Sequence, residues 1–218
     1  MKNQRVIIGL TGVKGSGKST FATTFNNISS VRYEERMLAF KLKEACSKAT
    51  QLPFDYFELQ SLKETPLPSP IILDDVKIML ILQEFNIQPE DRDYERLNKF
   101  VGMQFSTPRK MLQNVGTELL RMFDEEIHCN FLYGTLNEKS IVTDVRFENE
   151  FHFFKNKNDI YLPIYIHNEE AEQAAILDGH PSEMQVFKFK DKCLKIDNNI
   201  KTIENMGRQI KELLGSYI

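Results

Sequence analysis

Tryptophan is absent from this 218-residue chain, and cysteine occurs only three times. Cys46, Cys129 and Cys193 are odd in number, far apart and without metal-ligand spacing. That pattern excludes a disulfide framework and a cysteine-built zinc site, and makes reduced cytosolic thiols the default. No stretch approaches 18 apolar residues, so no membrane-spanning helix is expected. The apolar start is broken by polar chemistry from Gly9 to Ser19, which is unlike a secretory signal. Surplus positive charge is also missing: 28 Lys and Arg against 31 Asp and Glu leave a net charge of −3. An extended nucleic-acid surface, with its continuous basic stripe, is therefore not expected. Internal repeats and low-complexity tracts are lacking too. What is present, 41% apolar and 27% charged residues, suits a single soluble domain over 1–218 with a full core. The first fifty residues are locally basic, with nine Lys or Arg against three Glu, which suits polyphosphate binding or a solvated face.

The strongest local signal lies near the start. Val6-Ile7-Ile8 leads into Gly12-Val13-Lys14-Gly15-Ser16-Gly17-Lys18-Ser19-Thr20, which fits G-x-x-x-x-G-K-[ST] between a β-rich run and a helix. Such a loop turns backbone N–H groups toward a nucleoside triphosphate at the positive end of the helix. Residues 12–20 are the expected ATP-binding loop. Lys18 can reach the β- and γ-phosphates, and Ser19 can hold Mg²⁺. Lys14 can assist the phosphates or face solvent.

Arg5 to Thr11 reads as a buried first strand, Lys18 to Phe25 as the first helix, and Ser29 to Tyr33 as a weak second strand. Arg36 to Thr50 reads as helix. Residues 51–70 hold four prolines and read as loop or broken helix. Asp74 or Asp75 starts a helix through Phe85 that would bury Val76, Met79 and Leu80, with Phe85 a further candidate. Residues 86–104 give no clear pattern. Thr107 and Pro108 mark an N-cap and first turn, with helix expected to about Glu126. Ser140–Thr143, Ile160–Ile166 and Cys193–Ile196 read as strands; Glu169–Leu177 and Ile200–Leu214 read as helices. Strands alternating with helices predict an α/β fold with a mainly parallel sheet and helices on both faces. The ligand then lies beyond the C-terminal strand ends.

A second cluster of polar residues lies on the helix from Pro108. Arg109, Gln113 and Thr117 are four apart, with Gly116 and Arg121 near that face. Glycine inside a helix costs about 1 kcal/mol against alanine, so backbone access is one reading of Gly116. Arg109 and Arg121 offer anion contacts, although Arg121 can equally pair with Glu118 or Glu125. The run Ile141-Val142-Thr143-Asp144-Val145-Arg146 delivers Asp144 to a strand end. Asp144 can orient Mg²⁺-bound water or an acceptor group, Arg146 can hold phosphate, and Glu150 can fix Arg146 or contact a base or sugar. A capped αβ turn with a surface ion pair accounts for the same residues without a ligand. Phe40, Tyr56 and Phe105 are aromatic candidates for base stacking, though each such residue is more often core than stacker.

These blocks together, with His180…Ser182-Glu183, resemble the bacteriophage deoxynucleoside monophosphate kinases over most of the chain. The resemblance implies a three-layer P-loop NTPase fold of the nucleoside monophosphate kinase type with small acceptor-binding and lid elements, at about 36–105 and 169–190. It implies transfer of the γ-phosphoryl of ATP, with Mg²⁺, to a deoxynucleoside 5′-monophosphate in the cytoplasm, the host's if phage-encoded. Lys18, Arg109, Asp144 and Arg146 are then the catalytic set, and Ser19 and Asp144 the metal set. Arg109, Gln113, Gly116, Thr117, Arg121, Arg146, Glu150 and His180 become the acceptor-side contacts. Gln113 stands where some relatives carry an acid, so base preference does not carry over. A homodimer is an arrangement the sequence allows. Another small-molecule P-loop kinase, such as one acting on a coenzyme precursor, shares Lys18 and Ser19. A nucleotide-regulated ATPase switch is the reading from a different class.

Overall fold

A computed structural model describes residues 4–179 and 181–218. The chain divides into two compact units, Met1–Leu38 with Leu132–Ile218, and Ala39–Phe131. The elements, in chain order, are β1 (Val6–Thr11), α1 (Lys18–Ile28), β2 (Glu34–Arg36), α2 (Phe40–Thr50), α3 (Asp55–Glu58), α4 (Gln60–Lys63), β3 (Ile71–Ile72), α5 (Asp75–Glu84), α6 (Asp91–Leu97) and β4 (Gln104–Phe105). Then follow α7 (Pro108–Asn114), a π-helical turn (Val115–Leu119), α8 (Ile127–Tyr133), β5 (Lys139–Val142), α9 (Glu148–Lys155), β6 (Ile160–His167), α10 (Glu169–Asp178), α11 (Pro181–Gln185), β7 (Leu194–Asp197) and α12 (Ile203–Leu214). Among the described residues, no helix is long and apolar enough to cross a membrane.

The first unit holds a five-stranded, all-parallel sheet in the order β2-β5-β1-β6-β7. Central β1 sets Val6 beside Lys139 of β5 and Ile160 of β6. Its continuous apolar run follows from its place, because a strand covered on both faces has no solvent side. Ile8 and Leu10, with Ile164 and Ile166, join Phe21, Phe25, Met206, Ile210 and Leu214 of α1 and α12 in one core. Burying each large side chain contributes about 1.5–3 kcal/mol. On the opposite face Tyr161 packs against Phe151 and Phe154 of α9. Helices therefore cover both faces, giving three layers.

Two strands show where local pattern misleads. The second strand is Glu34–Arg36, not Ser29–Tyr33. It lies at the sheet edge and pairs only with β5, where charged side chains are suited and no apolar signature is needed. Tyr33 is instead a core residue set edge-on to Phe25. Within β6, Pro163 lies opposite Gly9, and β7 pairs with β6 only from Ile164 onward. The proline thus falls where β6 has a strand on one side alone, which is where a strand tolerates it.

The second unit is mostly helical around a core that includes Leu42, Phe57, Leu73, Ile81, Met111, Val115 and Leu119. Short β3 and β4 pair antiparallel. The helix expected from Arg36 starts at Phe40, because Glu34–Arg36 is strand. Helix α5 is capped by Asp74, which accepts from the Lys77 N–H at 2.8 Å. Its buried side is Ile78, Ile81 and Leu82, while the expected Val76, Met79 and Leu80 are exposed. This helix is apolar nearly all round, so periodicity has no polar face from which to choose. The unpatterned 86–104 stretch contains α6. There the Glu90 N–H donates to Asp93 at 2.9 Å, closing the first turn.

The long helix expected from Pro108 to Glu126 is divided. Thr107 caps α7 by accepting from Lys110 N–H at 3.3 Å, and Pro108 fills the first turn. At Val115 the turn widens to π geometry. Gly116 sits in this widening: a Cβ there would come within 2.7 Å of Leu42 Cδ2. His128 Nε2 donates to the Gly116 carbonyl at 3.1 Å. The glycine is buried and allows close packing inside this unit.

Candidate functional site

In the first unit, the loop after β1 emerges at the C-terminal edge of the parallel sheet, between the flanking β5 and β6. This is the edge at which open α/β sheets bind ligands. Gly17, with φ +107°, lies before α1, and a Cβ on it would meet Asn198 Nδ2 at 2.3 Å. Gly12, with φ +143°, would place a Cβ 2.8 Å from the Ile166 carbonyl oxygen. Only glycine satisfies both the conformation and the space at these two points. Val13 is fully buried beside Tyr165, Ala175 and Val186 and anchors the loop. Ser16 is buried, and its hydroxyl has no hydrogen-bond partner among the described residues. Ser19 and Thr20 are exposed in the first turn of α1.

The Lys18 ammonium curls back over this loop. It donates to the carbonyls of Gly12 at 2.7 Å and Val13 at 2.8 Å. Burial of the ammonium pushes its pKa down from 10.5 to about 8, helped by the Arg146 charge and opposed by Glu183 and Asp144. These four charged residues thus act on one another around the loop.

Asp144 follows β5 at the same sheet edge, and its Oδ1 accepts from Leu38 N–H at 2.7 Å. The Val145 N–H donates to Leu10 O at 3.1 Å, tying this turn to the end of β1. Glu150 is buried, and its Oε2 accepts from the backbone N–H groups of Arg146 at 2.8 Å and Phe147 at 3.1 Å. Its carboxylate shapes the turn that presents Arg146 and starts α9. A base or sugar contact through that oxygen would have to displace both bonds. The Arg146 guanidinium pairs with Glu183 of α11. The other Glu183 oxygen accepts from Lys14 N–H at 2.7 Å. Arg146 is therefore bound into the phosphate loop itself, through Glu183, which local spacing does not reveal.

The acceptor-side candidates on the helix from Pro108 belong to the second unit. Arg109 Nε pairs with Glu64 at 2.6 Å, and its NH2 donates to Gln60 Oε1 at 3.3 Å, so α4 orients the guanidinium. The Thr117 hydroxyl donates to the Gln113 carbonyl at 2.6 Å. Arg121 NH1 donates to the Glu125 carbonyl at 3.2 Å, satisfying a backbone group in the turn before α8. Among the aromatic candidates, Phe105 is core and Tyr56 packs against that core. Phe40 is 43% exposed with its ring 5.6 Å from Phe54, which leaves it alone of the three with a largely open face. His180 lies outside the described residues.

Two contributors have no role assigned to them by the sequence. Glu183 has no marker beyond its place in a short loop block. Asn198, in the turn after β7, is buried and donates from Nδ2 to the Ser16 carbonyl at 2.8 Å. Its own carbonyl accepts from Asn168 Nδ2 at 2.8 Å. Asn168 and Asn198 brace the phosphate loop from behind. The available signal was topological: both follow strands that end at the same edge.

Magnesium favours hard oxygen ligands and keeps several waters. The Ser19 hydroxyl and the Asp144 carboxylate are of that type, and Asp144 already uses one oxygen on Leu38 N–H. Among the described residues no cluster of three or more His, Cys, Asp or Glu could form an all-protein metal cage. The donor set fits an ion held largely by a nucleotide's phosphates and not a resident metal centre.

No family model matches the chain. Against curated proteins it is 32% identical over 222 residues to one of Acanthamoeba polyphaga mimivirus named "Putative deoxynucleotide monophosphate kinase", covering 94% of each chain. It is 34% identical over 110 residues to the deoxynucleoside-5′-monophosphate kinase of Escherichia phage T5, covering 47% of this chain and 44% of that protein.

Proposed function

Because the chain belongs to the deoxynucleotide monophosphate kinase family, and so is a phosphotransferase, we propose that it moves the γ-phosphoryl group of ATP to a deoxynucleoside 5′-monophosphate. ADP and the deoxynucleoside diphosphate are the products, and the host cytoplasm is the setting. The observation carrying this reading is the phosphate loop with Lys18, Arg146 and Asp144 gathered at one sheet edge. An acceptor phosphate oxygen is already ionised near neutral pH, so no strong general base is required. The protein's task is alignment, charge neutralisation and exclusion of water.

The backbone of residues 12–20 cradles the donor phosphates. Lys18 leaves its two loop carbonyls and follows the charge onto the transferring group. Arg146 stands beside the same charge. Arg109, Gln113 and Thr117 hold the acceptor, with Arg121 and Glu150 shaping the backbone around their respective segments. Ser19 and Asp144 would hold Mg²⁺, which supplies charge neutralisation on the phosphate oxygens. The test is product analysis with ATP–Mg²⁺ and each deoxy- and ribonucleoside monophosphate in turn. Deoxynucleoside diphosphate should form in proportion to acceptor. ATP hydrolysed at one rate with and without acceptor, and no diphosphate from any base, would favour the ATPase switch. Apolar packing rejects an added hydroxyl by only about a hundredfold, so some ribonucleotide turnover is expected.

The depressed Lys18 pKa gives a second expected result. In the empty protein Lys18 is half neutral at about pH 8. Its folded pKa lies below the unfolded value of 10.5, so it favours the folded state increasingly as pH rises from about 8 toward 10.5. A bound triphosphate favours the charged form and raises that pKa. At pH 8, ATP binding should therefore take up about half a proton through this group, and almost none at pH 6.5. Calorimetry in buffers of different ionisation enthalpy measures the uptake, and Lys18→Ala should abolish it. Equal uptake by the variant would assign the proton elsewhere.

A further inference from the structure

We propose that Glu183 is the built-in counter-anion of the phosphate loop, a positioning residue that yields the Lys14 amide and the Arg146 guanidinium to an incoming nucleotide phosphate. The inference rests on the reading of residues 12–20 as the donor site. Its basis is the identity of the group now using the loop's donors. Lys14 N–H donates to Glu183 Oε2 at 2.7 Å, and Arg146 holds Oε1. The Glu183 residue is only 6% exposed. Burial alone would raise the pKa of its carboxyl. The Arg146 charge, the Lys14 N–H and Lys18 outweigh that and hold it below the ordinary carboxylate value.

A carboxylate that bridges a loop amide and an arginine uses the same donors that a phosphate oxygen would use. One N–H does not serve two anions well, and two anions sharing one arginine repel each other. The triphosphate and Glu183 therefore compete. Before binding, Glu183 neutralises Arg146 and Lys18 and keeps the loop in shape. On binding, the phosphate takes over, and α11 loses its hold on the loop. Nucleotide affinity is then set partly by a residue 169 positions away in sequence from the amide it occupies.

Glu183→Gln and Glu183→Ala test this by calorimetric titration with ATP and with inorganic tripolyphosphate, which carries no base. Both probes should bind roughly tenfold more tightly to each variant, the scale of one charge-assisted hydrogen bond relinquished. The KM for ATP should fall by the same factor, while the melting temperature of the nucleotide-free protein also falls. Tighter binding combined with lower stability is not what loss of a purely structural contact gives. Unchanged or weaker binding overturns the proposal, since Glu183 would then be neutral or would stay to hold Arg146 in the loaded enzyme. Should the variants not fold, hydrogen exchange on the unmodified protein decides. Amides of residues 182–185 should exchange faster with ATP bound, and equal or slower exchange overturns the displacement. A native protein that binds neither ATP nor tripolyphosphate would instead refute the donor-site reading.

Discussion

Replacing Lys18 by alanine should lower acceptor-dependent diphosphate formation by about two to three orders of magnitude, the loss typical of a fixed charge aimed at a transition state. The ammonium rests on the Gly12 and Val13 carbonyls and is partly desolvated, as its low pKa records. A cation kept out of water acts on developing phosphoryl charge far more strongly than a hydrated one. Its removal also releases two loop carbonyls, so some loss of ATP affinity should accompany the fall in rate. Single-turnover measurement at saturating ATP separates the two effects. A single-turnover rate within tenfold of the unaltered protein would remove Lys18 from the chemistry. Lys18→Arg should not restore activity, because the planar fork is larger and cannot lie on two adjacent carbonyls as a compact ammonium does.

Arg146→Ala should be nearly as damaging, with turnover falling by about a hundredfold or more. Sequence reasoning set Arg146 with Arg109 as a clamp on the acceptor phosphate. Its ion pair also ties it to the phosphate loop, through Glu183 and the Lys14 amide. The two arginines should therefore behave differently. Arg146→Ala should impair ATP handling as well as turnover, and destabilise the empty protein by leaving Glu183 buried without its main counter-charge. Arg109→Ala should leave ATP affinity near normal and raise the KM for the monophosphate. Its present partners, Gln60 of α4 and Glu64 just after it, have no part in the loop. Titration of each variant with ATP, followed by initial rates over a range of acceptor, distinguishes the profiles. If Arg146→Ala binds ATP normally and Arg109→Ala does not, the assignments must be exchanged.

The parallel sheet was legible because buried β1 carries an uninterrupted apolar run and passes directly into a loop whose glycines have few alternatives. Helix caps at Asp74 and Thr107 were legible for a similar reason: each is a short-range bond between a side chain and the N–H three residues on. Where the deciding contact is remote, the sequence is silent. The buried side of α5 depends on which neighbours cover a helix whose apolar residues run nearly all round it. The break at Val115 depends on Leu42 and His128 meeting Gly116, which a helical wheel drawn from Pro108 cannot show. The same holds at the candidate site. Asp144 and Arg146 stand out as candidates because a strand delivers them, but Glu183 and Asn198 reach the loop from 169 and 182 residues away.

Pro163 bears on how copies of this protein tolerate crowding. The first half of β6 has β1 on one side and no β7 residue on the other. A bare strand margin of this kind is a template on which a foreign chain can accrete. Proline supplies no N–H to such a newcomer, and its ring obstructs a close approach. A stranger's strand trying to prolong β7's pairing backwards past Ile164 meets this residue first. The imino acid that marks the limit of native pairing thus leaves any further strand on that margin one N–H short.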